Sequence, residues 1–160
     1  MPATTGAQTS FLNLLFNNTT WTGVGDAGGI LQSVGAGNLY VSLHTADPGA
    51  TASPDQTTDE IATAAYDTYA RQAVARTSGG WAVQSSAGLQ TTVQNAAVIN
   101  TWSAGTGASA GGTVTYFGIG TDSSGAGQLL FYGLLTTGPL TVGDGITPST
   151  PAGAIKVTVT

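Results

Sequence analysis

Thr113-Val114-Thr115-Tyr116-Phe117-Gly118-Ile119 is followed by Asp122-Ser123-Ser124-Gly125-Ala126-Gly127 and then by Gln128-Leu129-Leu130-Phe131-Tyr132-Gly133-Leu134-Leu135. Two runs of β-branched, aromatic and aliphatic residues parted by a cluster of turn formers read as a β-hairpin. The same pattern continues outward. Leu39-Tyr40-Val41-Ser42-Leu43 reads as a strand closed by His44-Thr45-Ala46-Asp47-Pro48-Gly49, where Pro presets one turn position and Gly tolerates the next. Tyr69 to Arg76 alternates, with Tyr69, Arg71, Ala73 and Ala75 on one side and Ala70, Gln72, Val74 and Arg76 on the other. Trp81-Ala82-Val83, residues 89–93, 96–102 and 140–142, and Ile155 to Val159 complete the set, with a possible helical turn at 58–66. About eight short strands at turn-punctuated spacing predict an all-β chain, a β-sandwich or jelly roll.

Ahead of the strands, Ser10-Phe11-Leu12-Asn13-Leu14-Leu15-Phe16 predicts a short N-terminal helix that Ser10 would cap. A helix this short needs a docking surface, either in its own domain or on a neighbouring subunit. Residues 17–38 are Gly-rich and nearly chargeless, with Trp21 and Ile30-Leu31 as isolated anchors. The expected organisation is therefore a helix and connecting arm at 1–38 and a β-sandwich domain at 39–160. The residues expected to form an assembly interface are Phe11, Leu12, Leu15, Phe16, Trp21, Ile30 and Leu31.

Composition limits the partners. Of 160 residues, 3 are Lys or Arg and 8 are Asp or Glu, so 7% are charged, where roughly 25% is usual. A net charge of −5 leaves no basic footprint for nucleic acid or for an anionic membrane surface. Cysteine is absent, which removes disulfides and thiolate chemistry. No run approaches the length of a membrane-spanning helix, and Met1 to Ser10 has no basic leader region. A neutral, Gly-rich β surface has little charge repulsion to keep copies apart, and suits a subunit of something larger.

Candidate chemical sites are few. Gly23-Val24-Gly25-Asp26-Ala27-Gly28 spells a dinucleotide fingerprint, but neither a preceding strand nor a following helix supports it. His44 is the single histidine, and with Asp47 nearby it reads as a hydrogen-bonded strand-end corner rather than a catalytic base. Asp47, Asp55, Asp59 and Glu60 could offer oxygens to a hard cation, but lack an EF-hand frame and read as a solvated acidic loop. Trp21, Trp81, Trp102, Tyr116, Phe117, Phe131 and Tyr132 could line a sugar platform, although alternating strand positions favour core. No catalytic, cofactor-binding or metal-ligating residue is assigned.

Several segments in order carry a resemblance: "LYVSLHTADPG" at 39–49, "YAR" at 69–71, "QNAA" at 94–97, "FGIG" at 117–120 and "LLFYG" at 129–133. With Asn13 to Phe16, Gly80-Trp81 and Gly153 to Thr158, the chain resembles small tailed-phage virion proteins of the tail-fibre-like or head-decoration type. The resemblance implies an all-β virion component without enzymatic activity or cofactors. It implies a capsid decoration or cement protein on the capsid surface, binding the major capsid protein or another virion protein and its own copies as a dimer or trimer. The alternative is a tail fibre or other receptor-binding subunit. Such a protein is made in the host cytoplasm and engages neither nucleic acid nor membrane. The stretch from Trp21 to Asn38 and the loop at 50–60 depart from that family's pattern, and these are the loops where attachment would be tuned.

Overall fold

The run from Thr113 to Ile119 serves two sheets rather than one. A computed structural model of the chain describes residues 3–85, 90–135 and 138–159. It contains one helix, α1 (Thr5–Asn17), a 3-10 turn at Pro48–Ala50 and nine strands among the described residues. The strands are β1 (Asn38–His44), β2 (Gln72–Ala75), β3 (Trp81–Ser85), β4 (Thr91–Asn95), β5 (Gly112–Val114), β6 (Tyr116–Gly120), β7 (Leu129–Leu134), β8 (Leu140–Val142) and β9 (Lys156–Val159). They form sheets ordered β2-β1-β6-β7, β3-β4-β9 and β5-β8, in which every recorded strand pair is antiparallel. The chain is all-β with an N-terminal helix, as its sequence predicts.

Two compact units form: Met1–Asn38 with Val74–Val98 and Thr150–Thr160, and Leu39–Ala73 with Ile99–Ser149. The first unit thus joins the N-terminal segment to two later pieces of chain.

In the first unit, α1 starts earlier than the Ser10 reading because Thr4, extended at φ −66° and ψ 152°, caps it by accepting from Ala7 N. Gln8, Leu12 and Phe16, one helical turn apart, are its buried face. That face packs on β3 and β4, and Phe16 meets Trp81 edge-on with ring centroids 4.9 Å apart. The last carbonyls of α1 are satisfied by a cation: Arg76 donates from Nε to Leu15 O at 2.6 Å and from Nη2 to Leu14 O at 2.8 Å. Its Nη1 also reaches Ala36 O at 3.2 Å, which holds the end of the arm. The arm folds back on itself: Trp21 bridges Ile30, and the Asn18 side chain both donates to Ser33 O and accepts from Ser33 N. The dinucleotide-like glycines lie in this loop, where Asp26 Oδ1 accepts from Gly28 N and Gly29 N and no helix follows.

Two predicted strands change. That expected at 89–93 begins on Leu89, outside the described residues, and its remainder is β4, which extends to Asn95. No strand forms over 96–102. Asn95 is the reason: its amide donates to Ala97 O and Pro151 O and accepts from Ile155 N, so the side chain turns the backbone away from strand pairing.

In the second unit, Thr115 is the corner between β5 and β6. It donates from N to His44 O and accepts on its carbonyl from Leu135 N. On its two sides the chain pairs with β8 and with β1 and β7. The β1–β6 register sets Val41 against Ile119 and Leu43 against Phe117 on one face, all buried. The opposite face carries Ser42, His44, Gly118 and Gly120. The "FGIG" pattern therefore makes one apolar face and one face stripped of side chains. A Cβ at Gly118 would stand 2.5 Å from His44 Nε2 and Ser42 Oγ, and one at Gly120 would strike Gln56.

Candidate functional site

The face freed by those glycines holds a buried polar layer, where the molecule concentrates its titratable groups. Ser42 and His44 lie two residues apart on β1, hence on one face, and both are fully buried. His44 Nδ1 is 2.8 Å from Thr58 O, a carbonyl that can only accept, so Nδ1 carries the proton. Nε2 then accepts from Ser42 Oγ at 2.8 Å. Burial is the main cause that lowers the His44 pKa below its ordinary value, against a smaller opposing pull from the Thr58 carbonyl. A serine hydroxyl on an imidazole is the first half of a hydrolytic dyad. Here both groups are sealed beneath the 55–60 segment, with no space at Gly118 even for a methyl group. The pair ties Ser42 and His44 together within β1.

Beside it is an ion-paired clamp. Arg71 donates from Nε to Glu60 Oε1 and from Nη2 to Glu60 Oε2, both at 2.7 Å, a bidentate pair with side-chain exposures of 3% and 13%. Those bonds to Glu60 are the leading reason the Arg71 pKa is raised. The Tyr69 hydroxyl donates to Glu60 Oε1 at 2.7 Å and accepts from Leu43 N at 3.0 Å. Its pKa is pushed well up, first by burial and then by the Glu60 charge. The remaining Arg71 donors reach Asp122 O and Gly125 O, the tip of the β6–β7 hairpin. Gln56 holds the same tip, accepting from Asp122 N at 2.8 Å and donating from its backbone N to Gly127 O at 2.9 Å.

A shallow cavity of about 240 Å³ opens over this clamp, lined by Glu60, Tyr69, Ala70, Arg71, Ser123, Ser124 and Gly125. It is smaller than the ~300–1,000 Å³ usual for small-molecule sites. Its one cation is already neutralised by Glu60.

Much of this arrangement carries no local signal in the sequence. The region 50–60 is not simply a solvated acidic loop: Gln56 is fully buried and Glu60 is the partner of Arg71. The acidic groups also stand apart in their bonding. Asp47 accepts from Gly49 N, Asp55 accepts from Thr57 and Thr58, and among the described residues no three potential metal ligands converge. The predicted strand from Tyr69 shortens to β2, because Tyr69 and Arg71 are drawn to Glu60. Of the seven aromatic candidates, Trp81, Trp102 and Phe117 are core, while Tyr132 is 46% exposed.

The residues expected at an assembly interface divide. Leu12 and Phe16 are fully buried in the first unit. Leu15 and Trp21 are half-buried, and Phe11, Ile30 and Leu31 are exposed, Leu31 at 72%. No helix among the described residues is long and apolar enough to cross a membrane.

A family model described as "Podophage GP4 fiber I protein gp80" matches residues 2–158. The chain belongs to this family of phage fibre proteins. Members of the fibre family are virion structural proteins, and the strand order "LYVSLHTADPG", "FGIG", "LLFYG" that carried the resemblance is, in this structure, the β1-β6-β7 sheet with its polar layer. No curated protein matches the chain.

Proposed function

We propose that the protein is a non-enzymatic subunit of a phage tail fibre, which joins its own copies and another virion protein and binds neither nucleic acid nor membrane. The family match over residues 2–158 carries this reading. It favours the fibre over the capsid decoration role that the resemblance first implied. The polar layer supports it: the only hydroxyl–imidazole pair among the described residues is buried, and the only guanidinium in the cavity is committed to Glu60. Chemistry of this kind stiffens a hairpin instead of turning over a substrate.

The test is labelling of purified virions with an antibody raised against the chain, viewed by electron microscopy. Label on tail fibres is the expected result. Label spread over the capsid shell would establish the decoration role instead, and label on neither would remove the protein from the virion.

A further inference from the structure

Strand β7 is the outer strand of the β2-β1-β6-β7 sheet. Folded proteins blunt exposed strand edges with charge, proline or brevity, because an open edge recruits another strand. β3 (Trp81–Ser85) is uncharged over its 5 residues, but two other outer strands follow that rule: β2 has 4 residues set between Arg71 and Arg76, and β9 has 4 residues and begins on Lys156. β7 does not. Its 6 residues, Leu129-Leu130-Phe131-Tyr132-Gly133-Leu134, hold no charge and no proline, and the chain carries no charged residue between Asp122 and Asp144.

The approach to this edge is closed by Asp55-Gln56, which bridges to Gly127-Gln128. Beyond it the register identifies the open groups. Leu135 N donates to Thr115 O, and antiparallel pairing alternates, so Gly133 and Phe131 turn their backbone toward β6 while Tyr132 and Leu134 turn theirs outward. Tyr132 and Leu134 are also the exposed large apolar side chains of the strand, at 46% and 58%. Outward-facing backbone and exposed apolar side chains coincide on the same two residues.

We propose that two copies of the chain join along this edge, antiparallel and about a two-fold axis through Gly133, so that their four-stranded sheets become one. The proposal rests on the self-association in the function proposed above. A second copy is the occupant the chemistry favours. Chains of net charge −5 repel except where they are neutral, and an antiparallel strand is complementary to itself. Centred on Gly133, Tyr132 faces the second copy's Leu134 and Leu134 faces the second copy's Tyr132. Aromatic and aliphatic groups then cover each other, and both outward-facing backbones are paired. Centred on Tyr132 instead, Leu134 would face Leu130, the extra residue of the bulge opposite Ile119 and Gly120.

The absence of cysteine makes this register testable. Tyr132→Cys and Leu134→Cys are prepared as separate proteins and oxidised alone and mixed. In the proposed register Cys at 132 and Cys at 134 face each other at about 5.5 Å between Cα atoms, within the ~4.4–6.8 Å a disulfide spans. Like positions are offset by two residues, about 6.6 Å along the strand before the gap between strands is added. The mixture should give covalent dimer at least about tenfold in excess of either variant alone, since like positions lie beyond disulfide reach. Equal cross-linking in all three samples would overturn the register. Sedimentation of the unmodified chain should give twice 15.8 kDa, and folded Leu134→Lys should give the monomer mass. If the unmodified chain associates and folded Leu134→Lys associates equally, this edge is the wrong surface although self-association stands. If the unmodified chain stays monomeric, both fall.

Discussion

Trp81 and His44 are both fully buried, yet the regions around them are built on opposite principles. Around Trp81, the helix face of Leu12 and Phe16 covers β3 and β4, and stabilisation comes from apolar area and close packing. Around His44, glycines clear a sheet face for Ser42, Glu60, Tyr69 and Arg71, each meeting named hydrogen-bond partners, and for Gln56, whose Oε1 accepts from Asp122 N while its buried Nε2 is left unpaired. The first region should tolerate changes that keep volume. The second should tolerate almost none that leave a partner behind, because an unpaired buried polar group costs its full desolvation.

The largest expected effect follows from that difference. Arg71→Met leaves Glu60 charged and unpaired, and should cost about 3–5 kcal/mol in urea unfolding. Replacing both Arg71 and Glu60 by Met should recover most of the loss, since the pair's attraction mainly offsets its own desolvation. If the double variant were as damaged as the single one, the clamp would be stabilising by more than mutual satisfaction. Trp81→Ala should cost about 3–5 kcal/mol in the same assay, while Trp81→Phe should recover more than half of that, as no comparable volume-keeping change can do at Arg71.

Gly118→Ala should destabilise by about 1–3 kcal/mol, because the methyl group enters the space of Ser42 and His44. The acid response should separate the regions again. His44 has a folded-state pKa lowered from 6.5, so below pH 6.5 the unfolded chain binds the proton first. Stability is then lost as pH falls from 6.5 toward the folded value, and is unaffected by this group above 6.5. Unfolding midpoints measured down this range should drop less for His44→Gln than for the unmodified chain. Asp67, held at about 2 by bonds from Ser109 and Thr106, adds a loss between 3.8 and about 2. The smallest effect expected is Thr4→Ala, about 1 kcal/mol, from the lost cap of α1.

What was legible in the sequence follows the same divide. The apolar face of α1, the alternation of β1 and the β6–β7 hairpin are periodic signals between near neighbours, and all are seen. Ser42 and His44 could also have been paired, since residues two apart on a strand share a face. Glu60 with Arg71, and Gln56 with Asp122, could not: they are 11 and 66 residues apart, and Glu60 looked like one more charge in an acidic loop. The strand expected over 96–102 failed for a related reason, because Asn95 is satisfied by Pro151 and Ile155, distant in the chain. Thr113 to Ile119 read as one strand because nothing local marks Thr115 as the point where the chain leaves one sheet for another.

The claim that the polar layer is a sealed structural element, rather than a reactive centre, is tested most directly by nitrogen NMR of the single imidazole between pH 7.5 and 5.5. His44 should carry its proton on Nδ1 while neutral, take up a second proton only at a lower pH than a free imidazole does, exchange slowly with water and resist acylating reagents. An imidazole that titrates near 6.5, exchanges freely and is readily acylated would contradict it.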